Sequence, residues 1–274
     1  MMSMPVFLVY QYGEDCLKVG LFGFGRTGRV VADEIIHDPD CTLAWVVRKS
    51  GQDNHAYASD FLGVPNAKQG FFYSAEETAA PEFYVKNPVD VIIDFSCKTG
   101  LYEYTAAADY GIRIVSAISH YDKKELLHLK GMAQKTAVLH SANITLGINF
   151  LLVASQILQQ IVPNADIEVI EEHFREKRET SGSALKIAEK LGLDPVKHIN
   201  SIRVGGIVGK HEVIFGLKNQ TIRIAHDVIS RGAFGAGALF AARSLLHKDN
   251  GFYTMEEIMR EAFIQKIAVN NILA

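Results

Sequence analysis

The segment Gly23-Phe24-Gly25-Arg26-Thr27-Gly28 constrains this chain more than any other stretch of it. The spacing alone says little, because glycines so placed also arise by chance. The setting decides. Leu17 to Phe22, just ahead, is a short apolar run suited to a buried parallel strand. Arg26 to His37, just after, sets Val30, Val31, Ile35 and Ile36 along one helical stripe. Strand, glycine turn and helix in that order form the phosphate-binding unit of a dinucleotide fold. Gly23 permits the tight turn, Gly25 lets backbone approach a pyrophosphate, and Gly28 lets helix and strand pack closely. The first N–H groups of the helix then face the diphosphate. Residues Gly23, Phe24, Gly25, Arg26, Thr27 and Gly28 are therefore expected to hold a nicotinamide dinucleotide.

An NAD site usually carries Asp or Glu about 20 residues further on, at the end of the second strand. That strand is Cys41 to Val47, and it ends here in Arg48-Lys49-Ser50. Two cations and a hydroxyl suit a 2′-phosphate, with Arg26 as a third charge. NADPH is the expected cofactor and NADH the alternative. The plainer reading makes Arg48 and Lys49 a solvated strand end.

Beyond this point strands alternate with helices. Val89 to Phe95 is β-branched, a helix follows near Leu101 to Asp109, and Ile112 to Ala117 is a strand. Lys123 to Lys135 reads as a helix and Thr136 to His140 as a strand. This alternation implies a doubly wound parallel sheet of Rossmann type, with its ligand beyond the carboxyl ends of the strands. Residues 49 to 80 lack clear periodicity. After Asn143 the pattern changes: a long apolar helix, Ile148 to Val162, precedes a strand at Asp166 to Glu172 and a helix at Ala184 to Leu191. Ile199 to Val208, His211 to Gly216 and Gln220 to Val228 then follow as strands without intervening helices, and Phe234 to Leu246 and Met255 to Phe263 close the chain as helices. Back-to-back strands suggest an open mixed sheet and hence a second α+β domain. The expected division is a dinucleotide-binding domain over 1–144 and a substrate-binding and oligomerisation domain over 145–246. Helices in 247–274 are expected to pack back on the first domain.

The bulk numbers exclude some partners. A formal net charge of -3 gives no electrostatic ground for nucleic acid. No apolar run approaches the roughly 18 residues of a membrane span. Cys16, Cys41 and Cys97 are well separated and lack metal-ligand spacing, so neither a disulfide framework nor a metal site is expected. Met1 to Gln11 is apolar without a basic start or a cleavage site, which reads as a short extension of a cytoplasmic protein.

The densest charge cluster runs from Glu171 to Glu179 and leads into Thr180-Ser181-Gly182-Ser183-Ala184. A charge run is usually a solvated face. Here, however, Ser181-Gly182-Ser183 stands before an apolar helix, offering an N-cap and bare N–H groups to a carboxylate.

At this loop the sequence resembles the 4-hydroxy-tetrahydrodipicolinate (dihydrodipicolinate) reductase family, whose signature is Glu-x-His-His-x-x-Lys-x-Asp-Ala-Pro-Ser-Gly-Thr-Ala. Glu171 to Ala184 matches it, one residue short. Val89 to Ser96, Ser141 to Asn149, Gly209 to Phe215 and His226 to Ala238 resemble further family blocks, in the family's order. The resemblance implies a reductase of lysine and diaminopimelate biosynthesis. It also implies a homotetramer built on the second domain's sheet, and hydride transfer to an unsaturated cyclic imine dicarboxylate giving tetrahydrodipicolinate. His173 becomes the general acid/base and Lys177 the proton donor that also binds substrate. Ser181, Gly182 and Ser183 hold a carboxylate. Phe95, Ala117, Ile118, Ser119, Ser141, Ala142, Asn143 and Ile144 line the nicotinamide side.

Elementary chemistry agrees with these roles. Hydride addition to a carbon conjugated with an imine leaves an enamine that must be protonated, so a nearby cationic acid is useful. Three departures stand out. Phe174 replaces the family's second His, a substrate contact; Glu176 adds negative charge; and Glu179-Thr180 replaces Asp-Ala-Pro, removing a rigid turn. They keep two alternatives open: a related NADPH-dependent reductase or amino-acid dehydrogenase with another substrate, and a non-catalytic dinucleotide-binding relative.

Overall fold

A computed structural model describes residues 16–48, 56–64 and 66–269. In chain order its first half gives β1 (Leu17–Phe22), α1 (Arg26–His37), β2 (Cys41–Val47), α2 (Ala58–Phe61), β3 (Phe71–Tyr73), α3 (Ala75–Ala79), α4 (Glu82–Lys86), β4 (Val91–Asp94), β5 (Arg113–Ser116), α5 (Lys123–Met132) and β6 (Ala137–His140). The second half gives α6 (Leu146–Ile161), β7 (Asp166–His173), α7 (Gly182–Leu191), α8 (Pro195–His198), β8 (Ile199–Arg203), β9 (Lys210–Leu217), β10 (Gln220–Asp227), α9 (Gly232–Leu245), β11 (Gly251–Thr254) and α10 (Met255–Val269).

Two sheets result, as the two patterns of the sequence predict. Parallel strands lie in the order β11-β6-β5-β4-β1-β2-β3. The strand order reverses at β1, which pairs with β2 on one side and β4 on the other. That switch point opens a crevice beyond the carboxyl ends of the strands. The second sheet, β10-β9-β7-β8, mixes a parallel β7–β8 pair with antiparallel neighbours.

Residues 19–22 of β1 and all of β4 are buried on both faces of the first sheet, as a doubly covered parallel sheet requires. One face packs Val31 and Ile35 of α1 and Leu239 and Ala242 of α9 against Val19, Leu21 and Ile93. The other gathers Phe22, Trp45, Phe83 and Tyr104. Phe22 meets Trp45 and Tyr104 edge to face, with centroids 5.8 and 4.8 Å apart. Each such pair contributes about 0.5–1.5 kcal/mol beyond burial.

The second sheet buries Ile167, Val169, Val213 and Phe215 under Leu151, Leu152, Ile187 and Leu191 of α6 and α7. Ser181 caps the start of α7, accepting from the Ala184 N–H at 3.5 Å, and Gly192 ends it at φ +67°.

Three expectations change. The helix expected near Leu101 to Asp109 is two short 3-10 turns, Gly100–Tyr102 and Thr105–Tyr110. The Thr105 hydroxyl reaches the Leu101 and Tyr102 carbonyls at 3.2 and 3.1 Å, occupying acceptors that a regular helix would use. α9, expected with the second sheet in the 145–246 division, lies on the first sheet against α1. Small residues permit this approach: a Cβ at Gly235 would stand 2.8 Å from the Glu34 Cβ of α1. Lastly, 251–254 form β11, an edge strand paired with β6 where no strand was expected. It brings the chain end back to the first sheet, and α10 then spans to α6. Among the described residues no helix is long and apolar enough to cross a membrane.

Candidate active site

The crevice at the switch point is a cleft of about 510 Å³ lined by Gly23 to Gly25 after β1, Arg48 after β2, and Phe95 to Cys97 after β4. Each glycine of the turn has a distinct physical task. Gly23 sits at φ +94°, the left-handed region that favours glycine, and a Cβ there would press on the Phe95–Ser96 backbone. A Cβ on Gly28 would stand 2.0 Å from the Gly23 carbonyl oxygen, so only glycine lets α1 start this close to β1. At Gly25 a Cβ would meet nothing within 4 Å. Gly25 is also the N-cap of α1 and gives no side-chain cap to its first N–H groups. Open space before uncapped donors fits a pyrophosphate.

Arg48 lies over the Phe72 ring, 3.9 Å from its centroid. The second cation on the cleft is Arg29, which stacks on Phe61 at 4.5 Å and donates to the Phe24 carbonyl at 3.2 Å. Sequence reasoning missed Arg29 and chose Arg26, which is exposed at the start of α1 and is not among the cleft's lining residues. Thr27 is half-buried and likewise off the lining, and Lys49 falls outside the described residues.

Beneath the cleft the fully buried Asp94 accepts from the Ser96 N–H at 2.8 Å, the Ser96 hydroxyl at 2.5 Å and the Tyr104 hydroxyl at 2.8 Å. Burial raises its pKa while these donors oppose the rise. The result is a fixed loop carrying Phe95 into the cleft.

The strand ends next to β4 supply the nicotinamide-side residues expected from the sequence. Ala117 N–H donates to the Asp94 carbonyl at 2.9 Å, the Ile118 carbonyl lies 2.9 Å from His140 Nε2, and Ser119 is exposed. Ser141 donates to the Asn143 carbonyl at 2.6 Å, and Ala142 is exposed beside it. Ile144 departs from the expectation, since its side chain is buried in the core.

On the second sheet, strand alternation puts Ile167, Val169, Glu171 and His173 on one buried face of β7. A carboxylate on that face needs partners, and Glu171 has them. One oxygen accepts from the Ser201 hydroxyl at 2.6 Å, Arg203 Nη2 at 2.6 Å and the Ser181 N–H at 3.3 Å. The other accepts from Arg203 Nη1 at 2.9 Å and pairs closely with His173 Nδ1. Burial would raise the Glu171 pKa, but hydrogen bonds from Arg203, Ser201, His173 and the Ser181 N–H outweigh it and hold the group at about 2. An ionised Glu171 keeps the imidazole proton on Nδ1, so Nε2 is the nitrogen available for proton transfer. Burial lowers the His173 pKa and Glu171 opposes that; Lys177 and Arg203 lower it further.

His211, on the buried face of β9, stands with its ring centroid 5.3 Å from that of His173 and its Nε2 2.8 Å from the Ser181 hydroxyl. Burial, with His173 adding to it, pushes its pKa down to about 4. Lys177 is half-buried in the loop after β7, and its charge acts on both histidines. Gly182 and Ser183 begin α7, where Ser183 accepts from Asn143 Nδ2 at 2.7 Å. Ser181 and Ser183 therefore lie at one helix start beside the histidines, and Asn143 joins Ser183 to the nicotinamide-side loop.

Residues 17–144 match the family model described as dihydrodipicolinate reductase, N-terminus, and residues 147–259 match the corresponding C-terminus. The chain belongs to the dihydrodipicolinate reductase family. Membership in this reductase family makes it a pyridine-nucleotide-dependent oxidoreductase. The 4-hydroxy-tetrahydrodipicolinate reductase of Thermosipho africanus is 36% identical over 177 residues, covering 64% of this chain and 81% of its own. That of Caldanaerobacter subterraneus is 30% identical over 259 residues, covering 86% of this chain and 95% of its own. Among solved structures, the dipicolinate-bound dihydrodipicolinate reductase of Paenisporosarcina sp. TG-14 shares the fold with a TM-score of 0.71 at 18% identity, covering 87% and 97% of the two chains.

Against the dihydrodipicolinate reductase signature, the loop's departures take physical form. Phe174, in place of the second His, is 41% exposed next to His173. The shortened turn at Glu179 is held by Arg203, whose Nη2 donates to the Glu179 carbonyl at 2.9 Å.

Proposed function

We propose that this chain reduces a cyclic, unsaturated imine dicarboxylate to tetrahydrodipicolinate, using NADPH in preference to NADH, as a step of lysine and diaminopimelate biosynthesis. The observation that carries the reading is the Glu171–His173 pair beside Lys177 and the open start of α7. The names of the two relatives above and the dipicolinate held by the Paenisporosarcina protein support it.

When bound, the dinucleotide supplies the hydride; the protein's own residues do the rest. Gly182 and Ser183 at the start of α7 offer N–H and hydroxyl donors to one substrate carboxylate, and Lys177 offers a cation. Ser181, buried with its N–H on Glu171 and its hydroxyl against His211, orients that turn. Hydride addition leaves an enamine, and its carbon takes a proton from the site. The Lys177 ammonium can give it directly; His173, whose own proton sits on Nδ1 against Glu171, can give one only from Nε2 after taking one up there. Glu171 fixes the imidazole's tautomer and direction. Arg48 and Arg29, both on the cleft, support 2′-phosphate recognition.

A homotetramer built on the outward face of the mixed sheet accompanies this reading; Ile202 on that face is 43% exposed. Free Cys16, Cys41 and Cys97 suit a reducing compartment such as the cytoplasm. Phe174 favours a second reading, a related reductase or dehydrogenase whose substrate presents an apolar group to that ring. Nucleotide oxidation, followed in a coupled assay that generates the unstable imine in place, tests both. Turnover on that substrate, faster with NADPH, is expected; turnover only on other substrates would favour the second reading.

A further inference from the structure

Arg203 reaches several parts of the site at once. Its two terminal nitrogens grip both oxygens of Glu171, at 2.9 and 2.6 Å. The same guanidinium donates from Nε to the Lys177 carbonyl at 2.8 Å and from Nη2 to the Glu179 carbonyl at 2.9 Å. The parallel pairing of β7 with β8 explains the placement: Ser201 stands opposite Glu171, and Arg203 stands opposite His173. One planar cation thus touches the carboxylate behind the imidazole and the backbone of the residue bearing the ammonium.

We infer that Arg203 is a positioning residue, coupling the Glu171–His173 pair to the loop that carries Lys177 so that both proton-handling groups are held in one fixed geometry. The inference rests on the site reading above, though not on the identity of the substrate. Arg203 makes no contact with the reacting atoms in this account. It acts through Glu171 and through two carbonyls.

A lysine cannot replace it. A single ammonium has no planar fork with which to grip both carboxylate oxygens while also reaching two carbonyls. The charged or titratable groups facing His173 are Glu171 on β7, Arg203 on β8, His211 on β9 and Lys177 in the loop. Losing the Arg203 cation removes a charge that holds the His173 pKa down, so that pKa should rise.

The test uses the full chain with Arg203→Met and Arg203→Lys. It measures turnover, dinucleotide binding by fluorescence, and the pH titration of the His173 ring nitrogens by nuclear magnetic resonance. A misplaced catalytic pair costs about 100-fold in rate. The expected result is a kcat loss of that order in Arg203→Met, poor recovery in Arg203→Lys and an upward shift of the His173 midpoint. Dinucleotide Kd should stay within about twofold, because the cleft lies on the other sheet. Wild-type kcat in Arg203→Met, or a His173 titration unchanged from wild type, would overturn the inference. Should Arg203→Met not fold, turnover of Arg203→Lys decides, since a lysine has no fork to hold both Glu171 oxygens and wild-type kcat in it would overturn the inference. Should the wild-type protein not turn over the imine, the substrate reading fails, while the titration still decides the role of Arg203.

Discussion

Asn143 Nδ2 donates to the Ser183 hydroxyl at 2.7 Å, tying the loop after β6 on the parallel sheet to the first turn of α7 beside the mixed sheet. Asn143 is itself braced, since its side-chain oxygen accepts from the Thr145 N–H at 3.2 Å and the Thr145 hydroxyl at 3.0 Å. Replacing it removes the bridge and leaves partners unsatisfied. Asn143→Ala is expected to lose about 1–2 kcal/mol of stability, because unmade hydrogen bonds in part-buried surroundings cost about that much. Urea unfolding measures it. Its KM for the imine should rise more than its dinucleotide Kd; an equal rise in both would show that the bridge does not position Ser183.

The turn glycines separate folding from binding. At Gly28 an added Cβ would stand 2.0 Å from the Gly23 carbonyl oxygen, so Gly28→Ala forces the backbone apart. Such overpacking costs about 1–3 kcal/mol, and thermal unfolding should show it. At Gly25 nothing lies within 4 Å of that atom. Gly25→Ala should therefore change stability by less than about 1 kcal/mol, the scale of a cap substitution. Its dinucleotide Kd should weaken by about tenfold, equivalent to about 1.4 kcal/mol. Unchanged binding in Gly25→Ala would mean that the pyrophosphate lies elsewhere.

Arg48→Glu reverses the charge at the end of β2, where the guanidinium lies over Phe72. NADPH affinity is expected to fall by at least about tenfold more than NADH affinity, since only NADPH carries the 2′-phosphate that a fork of donors recognises. Calorimetric titration of both nucleotides settles the ratio. Parallel losses would mean that Arg48 does not read that phosphate.

The parts of this molecule legible in the sequence are those with a periodic signal. β1, α1 and β2 fall where the apolar run, helical stripe and second run place them. His173, Ser181 and Ser183 come together because one strand, one short loop and one helix start carry them in sequence order. Arg203 and His211 gave no such signal. Their partners are 32 and 30 residues away and meet them only through strand pairing. A trace of them was present: alternation puts Glu171 and His211 on apolar strand faces, and a polar group there demands a partner. Thr105 hid the 3-10 turns, since its hydroxyl competes for carbonyls that the apolar pattern assigns to a helix.

Acid should destabilise the fold in two windows. His211 has a pKa lowered from 6.5 to about 4 in the folded state, so the unfolded chain binds that proton first. Stability is lost as pH falls from 6.5 towards 4. Glu171 is lowered from 4.5 to about 2, so its contribution is present above 4.5 and is lost as pH falls through 2. His211→Gln should flatten the upper window and Glu171→Gln the lower one. Denaturant unfolding at stepped pH checks both; an unflattened upper window in His211→Gln would contradict the first assignment.

The central claim is that His173 and Lys177 together handle the proton that follows hydride addition. Its most direct measurement is NADPH oxidation on the imine generated in place, comparing wild type with His173→Ala, Lys177→Ala and the double variant. The predicted result is a fall in kcat of about 10²–10⁴-fold in each single variant, as for loss of a general acid. The double variant should be little worse than the poorer single one, since the two act as a unit, and dinucleotide binding should be retained throughout. Turnover undiminished in both single variants would contradict the account.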